Sequence, residues 1–329
     1  MNGDLMSESR HVLHLPARDI PVPTSVSPEA QAILAMPPME QSESPPAHDL
    51  DAWREFVATR DEAIKAMMAG RTANAPVTTE ELTIDGVRVY EIVPVDLADD
   101  DRRVYLDIHG GAFVFGGGEL CRAMGVGAAV RVGARVLAVD YRMPPDHPFP
   151  AGLDDCLTVY RSLLLEHSAD QIIVGGVSAG GNLAAALALR IREEGLPLPA
   201  AVVLRTPAVD LSESGDSMET NLGLDPLLPR RETAALDLYR GSADVRDPYV
   251  SPVHGDFTKG FPPTILTTGT RDMLLSDTVR MHRALRAAGI SAALHVTEAG
   301  GHGGFFGMAP EDGAIEREVR DFVDAHWAC

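Results

Sequence analysis

From residue 103 onward, apolar residues fall into short continuous runs, separated by longer stretches in which they recur every three to four positions. Runs of the first kind read as strands buried on both faces, and stretches of the second as amphipathic helices. Strands are predicted at 103–108, 136–139, 171–175, 200–204, 264–268 and 293–296, with helices at 123–131, 152–165, 181–190, 278–288 and 314–326. This alternation indicates a doubly wound, mostly parallel α/β sheet. Upstream, runs at 82–84 and 87–93 flank Asp85-Gly86, a favoured two-residue hairpin turn. Asp49 can cap a helix over 50–70, whose stripe of Trp53, Phe56, Val57, Ile64, Met67 and Met68 needs a packing partner. Residues 1–48, rich in Pro, Ser and Glu, read as an extended arm with one short helix at 28–36. The alternation breaks at 210–249, which begins polar and then carries a helical segment at 231–239. An excursion at that point is where a lid element would sit.

Length and composition narrow the function. A chain of 329 residues can bury a large core as one extended α/β domain with an appendage. Its formal charge of −20 argues against a nucleic-acid or anionic-membrane surface. No apolar stretch is long enough to span a bilayer, and no signal-peptide pattern opens the chain. The cysteines, Cys121, Cys156 and Cys329, lack metal-ligand spacing and read as two buried thiols and a tail in a reducing compartment. A cytoplasmic location is the resulting expectation. Gly116-Gly117-Gly118 follows a strand but lacks the spacing of a dinucleotide site, so no cofactor and no metal are expected.

The candidate chemistry centres on Gly176-Val177-Ser178-Ala179-Gly180, between a predicted strand and a predicted helix. Strand, sharp turn through serine, then helix is the context of a nucleophile elbow. A serine needs a base to take its proton, and that base needs an orienting acid. Of the downstream histidines, His282 falls in a predicted helix and His295 in a strand, whereas His302 lies in a glycine-rich loop after the last strand. His302 is therefore the candidate base. Asp272, just past the 264–268 strand, is preferred as the acid over Asp277, whose alternative role is to cap the helix expected from Thr278. The oxyanion of an acyl-transfer intermediate needs backbone N–H donors. Ala179, next to the nucleophile, is one, and the loop His109-Gly-Gly-Ala112 at another strand end is a second source.

These motifs, together with Asp140-Tyr-Arg-Met-Pro-Pro-Asp-His-Pro-Phe-Pro-Ala151 and His302-Gly-Gly-Phe305, resemble the bacterial hormone-sensitive-lipase-like carboxylesterases over about residues 80–328. The resemblance implies an α/β-hydrolase fold with a helical cap. It assigns 1–78 to an N-terminal arm and cap helices and 79–329 to the catalytic domain, with a cap-contributing insertion near 211–240. Ser178, Asp272 and His302 would be the triad, with oxyanion donors from Gly110, Gly111, Ala112 and Ala179. The substrate would be a small ester with a short to medium acyl chain, and two copies would pair through the last strand. Two positions depart from the family pattern. Ala112 stands where a third glycine is usual, which is tolerable at negative φ. Val177 replaces the usual polar residue before the nucleophile. Trp53, Phe56, Phe113, Phe115, Leu222 and Leu224 are expected as pocket or cap linings, or else as ordinary core. Lactone hydrolysis would use the same machinery. A catalytically silent small-ligand receptor is the reading from another class, and the presence of His302 weighs against it.

Overall fold

The computed structural model describes residues 13–37, 42–68, 70 and 72–328. Expectations falling on 1–12, on 38–41 and on Cys329 lie outside the described residues. Among the described residues, two helices precede the sheet. In α1 (Pro28–Leu34) the Ser27 hydroxyl accepts the Ala30 amide, and in α2 (Leu50–Met68) the Asp49 carboxylate accepts the Ala52 amide at 3.0 Å. Strands β1 (Val77–Ile84) and β2 (Val87–Pro94) form the expected hairpin. Asp85 and Gly86 both take positive φ, 47° and 87°, as the two-residue turn requires.

The remaining strands are β3 (Val104–Ile108), β4 (Arg135–Asp140), β5 (Ile172–Val177), β6 (Ala201–Arg205), β7 (Thr264–Gly269) and β8 (Ala292–Thr297). They alternate with α3 (Glu119–Val132), α4 (Ala151–Glu166), α5 (Ala179–Glu193), α6 (Ser217–Thr220), α7 (Thr233–Arg240), α8 (Leu275–Ala287) and α9 (Pro310–His326). The eight-stranded sheet has the order β1-β2-β4-β3-β5-β6-β7-β8, antiparallel through β1, β2 and β4 and parallel thereafter. Successive side chains serve opposite faces. Val104, Leu106 and Ile108 of β3 join α4, α5 and α8 in one core, while Tyr105 joins α3 and α9 in the other. Among the described residues, no helix is long and apolar enough to cross a membrane.

Three helix starts differ from expectation by three residues or more. α3 begins at Glu119 rather than near 123, because Gly118, in a left-handed conformation (φ 60°), ends the glycine run as the residue before the helix. α9 begins at Pro310, a residue suited to a first turn, rather than at 314. α8 begins at Leu275, so Asp277 lies within its first turn and does not cap it.

Topology fixes where a ligand can sit. The chain leaves β3 for β4 on one side and returns to β5 on the other, so the loops leaving β3 and β5 diverge at their carboxyl ends. A crevice at such a switch point is the usual binding place in open α/β sheets.

Candidate active site

The turn after β5 is built by collisions that only glycine avoids. A Cβ on Gly176 would lie 2.2 Å from the Gly180 carbonyl oxygen, and one on Gly180 only 1.9 Å from the Ile108 carbonyl oxygen. With these contacts closed, Ser178 is forced to φ 57°, ψ −118°, a conformation L side chains rarely adopt. Its backbone is held by N–H donation to the Arg205 carbonyl at 2.9 Å and by the Ala208 amide donating to its own carbonyl at 3.1 Å. The hydroxyl has no hydrogen-bond partner among the described residues and faces a cavity of about 60 Å³. Below it, the first amide of α5, on Ala179, has no acceptor among the described residues, as expected at a helix start.

Across the crevice runs the loop after β3. Gly110 packs against the elbow, where an added Cβ would stand 3.4 Å from the Ser178 Cβ and 2.9 Å from the Val177 oxygen. Gly111, Ala112 and Phe113 all have positive φ, at 123°, 49° and 66°. The condition under which the added methyl would be free of strain, a negative φ at Ala112, is not met. The alanine is itself in the left-handed region, and the close turn, closed by Phe115 N–H to the Gly111 oxygen at 2.8 Å, holds it there. The amides of Gly111 and Ala112 have no acceptor among the described residues. Behind the loop, the His109 ring stacks on Tyr141 at 4.2 Å, and its Nδ1 lies 2.7 Å from the Gly110 oxygen, which makes that nitrogen the donor. Burial pushes the His109 pKa down, so the ring is neutral.

Asp272 and His302 meet on the same rim, from the loops after β7 and β8. The Asp272 Oδ1 lies 3.1 Å from His302 Nδ1 and accepts the Leu274 amide at 2.9 Å, while Oδ2 accepts the Thr268 hydroxyl at 2.9 Å. Asp272 is wholly buried, and the His302 side chain retains 10% of its surface open. Burial works against a charged imidazole, yet the adjacent Asp272 carboxylate, aided by Asp225, raises the His302 pKa above its ordinary value. Asp277 lies elsewhere. Its Oδ2 accepts the Asp210 amide at 2.9 Å, and burial pushes its pKa up to about 8.

With this geometry in hand, likeness to known proteins can be weighed. A sequence profile described as the alpha/beta hydrolase fold matches residues 105–306. The crystal structure of an esterase, E25, superposes with a TM-score of 0.87 at 37% identity, covering 96% of this chain and 99% of that one. The chain belongs to the α/β-hydrolase family. Within it, the chain is a bacterial hormone-sensitive-lipase-like esterase. An esterase from the bacterial hormone-sensitive lipase family superposes with a TM-score of 0.75 at 29% identity over 92% of this chain and 99% of that one. An acetyl-hydrolase of Streptomyces hygroscopicus is 36% identical over 202 residues, 61% of this chain and 66% of that one. This chain thus spans just under two thirds of that relative.

The expected linings of this hydrolase divide. Phe113 lines the cavity, but Trp53, Phe56 and Phe115 form a separate apolar cluster between α2 and the loop after β3, and Leu222 is 48% exposed. The cavity walls are instead Ala112, Met218, Leu228, Leu236, Met273 and Leu274, with Glu213, Arg231 and Glu232 adding charge. α2 reaches the same loop through Asp61, whose carboxylate accepts the Gly116 amide at 3.0 Å. Arg60 lies over the Phe115 ring at 4.6 Å and pairs with Glu232 at 3.0 Å. Two further polar residues went unread in the sequence. Asn221 donates to the backbone oxygens of Thr270 and Asp272 at 3.1 and 2.9 Å, and Asp225 accepts the His302 amide. Both lie in the irregular excursion between β6 and β7, where no periodicity marks them.

Proposed function

We propose that the chain is a serine carboxylesterase acting on small, short-chain acyl esters, with Ser178 as nucleophile, His302 as base and Asp272 as its orienting acid. The observation that carries this reading is the strained, outward-facing Ser178 on the same rim as a buried Asp272–His302 pair. In the first half-reaction the Ser178 oxygen bonds to the ester carbonyl carbon while its proton passes to His302 Nε2. The amides of Gly111, Ala112 and Ala179 bind the resulting oxyanion, with Gly110 holding the loop beside the elbow. Collapse of the intermediate breaks the C–O bond to the alcohol, which leaves with the proton from His302. Water, deprotonated by His302, then attacks the acyl-enzyme and the cycle closes. Short acyl groups suit a cavity of about 60 Å³ bounded by Met218, Leu228 and Met273. Relatives called esterases and an acetyl-hydrolase favour open-chain esters over lactones.

α1, α2 and the excursion at 211–240 would form the cap over this cavity, since α2 contacts both the loop after β3 and Glu232. Pairing of two copies along β8, whose outer edge has no partner strand among the described residues, is the assembly we infer, to be checked by light scattering. The free, buried Cys121 and Cys156 accord with a reducing, cytoplasmic setting, to be checked by cell fractionation. Hydrolysis of p-nitrophenyl acetate, butyrate and decanoate tests the central reading. Acetate and butyrate should be cleaved well and decanoate poorly, and Ser178→Ala should lose on the order of 10⁵-fold in kcat. Undiminished turnover by the alanine variant would overturn the nucleophile assignment.

A further inference from the structure

A second carboxylate reaches the histidine loop. Asp225 is 0% exposed, and its Oδ2 accepts the backbone N–H of His302. Its Oδ1 accepts the amides of Leu227 and Leu228 at 2.8 and 3.2 Å. The fit around it is tight, because a Cβ on Gly301 would stand 2.9 Å from that Oδ1. Gly304 N–H donates to the Gly301 oxygen at 3.0 Å, closing the loop around His302. Both carboxylate oxygens accept backbone N–H groups, so a neutral amide, with a single acceptor oxygen, could hold only one side of this contact. Burial pushes the Asp225 pKa up; among the described residues no Lys or Arg pairs with it, and the cation opposing that shift is His302 in its protonated form.

We propose that Asp225 is a positioning residue for His302. It fixes the histidine through its backbone amide, and its charge favours the imidazolium that exists between the two proton transfers. The charged groups acting on His302 are Asp272, from the loop after β7, and Asp225, from the excursion. Asp225 also sets Leu228, a wall of the substrate cavity, so one carboxylate ties the acyl pocket to the base. The inference rests on the assignment of His302 as base made above.

Asp225→Asn tests it, since the amide keeps the shape but removes the charge and one of the two accepting oxygens. With p-nitrophenyl acetate, kcat should fall about ten-fold with KM within roughly two-fold. The acid limb of the kcat/KM–pH profile should move down by roughly half a unit, because an imidazolium facing one carboxylate fewer loses its proton more readily. Asp225→Ala, which removes both acceptors, should lose about a hundred-fold. If the alanine variant does not fold, the asparagine variant decides alone, with its folding checked by thermal melting. A residue that merely holds structure would lower Tm without displacing the acid limb, so a profile superimposable on wild type would overturn the proposal. Wild type and Ser178→Ala are run in parallel. Turnover surviving in Ser178→Ala would sink the hydrolase reading itself, whereas an inactive Ser178→Ala beside an unshifted Asp225→Asn would sink only the role given to Asp225.

Discussion

Two turns face each other across the crevice, and both hold residues with side chains in the left-handed region, but they are held there by different means. At the elbow one residue is strained, Ser178, and the glycines beside it in sequence, Gly176, Gly180 and Gly181, let backbone of the elbow itself, of β3 and of the loop after β6 close in around it. In the loop after β3 the strain falls on Ala112 and Phe113, and distant parts of the chain sustain it. The Phe113 ring is stacked at 3.8 Å on Tyr239 of α7, Tyr141 donates to the His109 oxygen at 3.1 Å, and Asp61 of α2 receives the Gly116 amide. A conformation opened by adjacent glycines is encoded in a short motif. One enforced from afar depends on the whole fold.

The contrast can be broken most severely at the elbow. Gly180→Ala drives a methyl to within 1.9 Å of a β3 carbonyl oxygen, where backbone must move, and should cost several kcal/mol and abolish both soluble expression and turnover. Soluble, active Gly180→Ala protein would show that the elbow is not sterically locked.

The loop should yield by degrees, and through pH. Burial raises the Asp61 pKa to about 6, against the pull of the Gly116 amide and of Arg60. A carboxyl whose folded pKa lies above its unfolded value binds protons more tightly when folded. Its contribution is therefore fully present below about pH 4 and is lost as pH rises through about 6. Asp61→Asn keeps an acceptor for Gly116 and cannot titrate, so its Tm relative to wild type should climb between pH 4 and pH 7. Asp61→Ala leaves the Gly116 amide without its acceptor and should lower stability by about 1–2 kcal/mol, with kcat falling more than KM rises. A Tm difference that is flat with pH for Asp61→Asn would remove Asp61 from the supports of the loop.

The smallest effect belongs to Ala112→Gly. Relieving an alanine at φ 49° gains about 1 kcal/mol, partly offset by the greater freedom of glycine in the unfolded chain. A slight rise in Tm with nearly unchanged acetate turnover is expected, and a marked loss of activity would mean that the methyl, which lines the cavity, is needed there.

This division between local and distant enforcement also explains what could be read in advance. The central strands, β3 to β6, announce themselves because a strand buried on both faces is largely apolar, as Ile172, Ile173 and Val174 are. The pairing of His302 with Asp272 rather than Asp277 follows from the ends of β7 and β8, where loops must emerge on one rim. Asp225 and Asn221 sit in a segment with neither helical nor strand period, so nothing local distinguishes them from solvent-facing polar residues. The aromatic stripe of Trp53 and Phe56 was legible as a face needing a partner, but which partner, Phe115 rather than a substrate, was not.

Apolar periodicity and glycines where no Cβ fits are properties of neighbouring residues, and from them and the order of the strand ends the sequence alone determined the sheet, the elbow and the pairing of Asp272 with His302. The sign of φ at Ala112, the walls of the acyl cavity and the second carboxylate behind His302 arise where segments far apart in the chain come into contact. Only the tertiary structure could decide these, because each depends on which atoms folding brings within a few ångströms of one another.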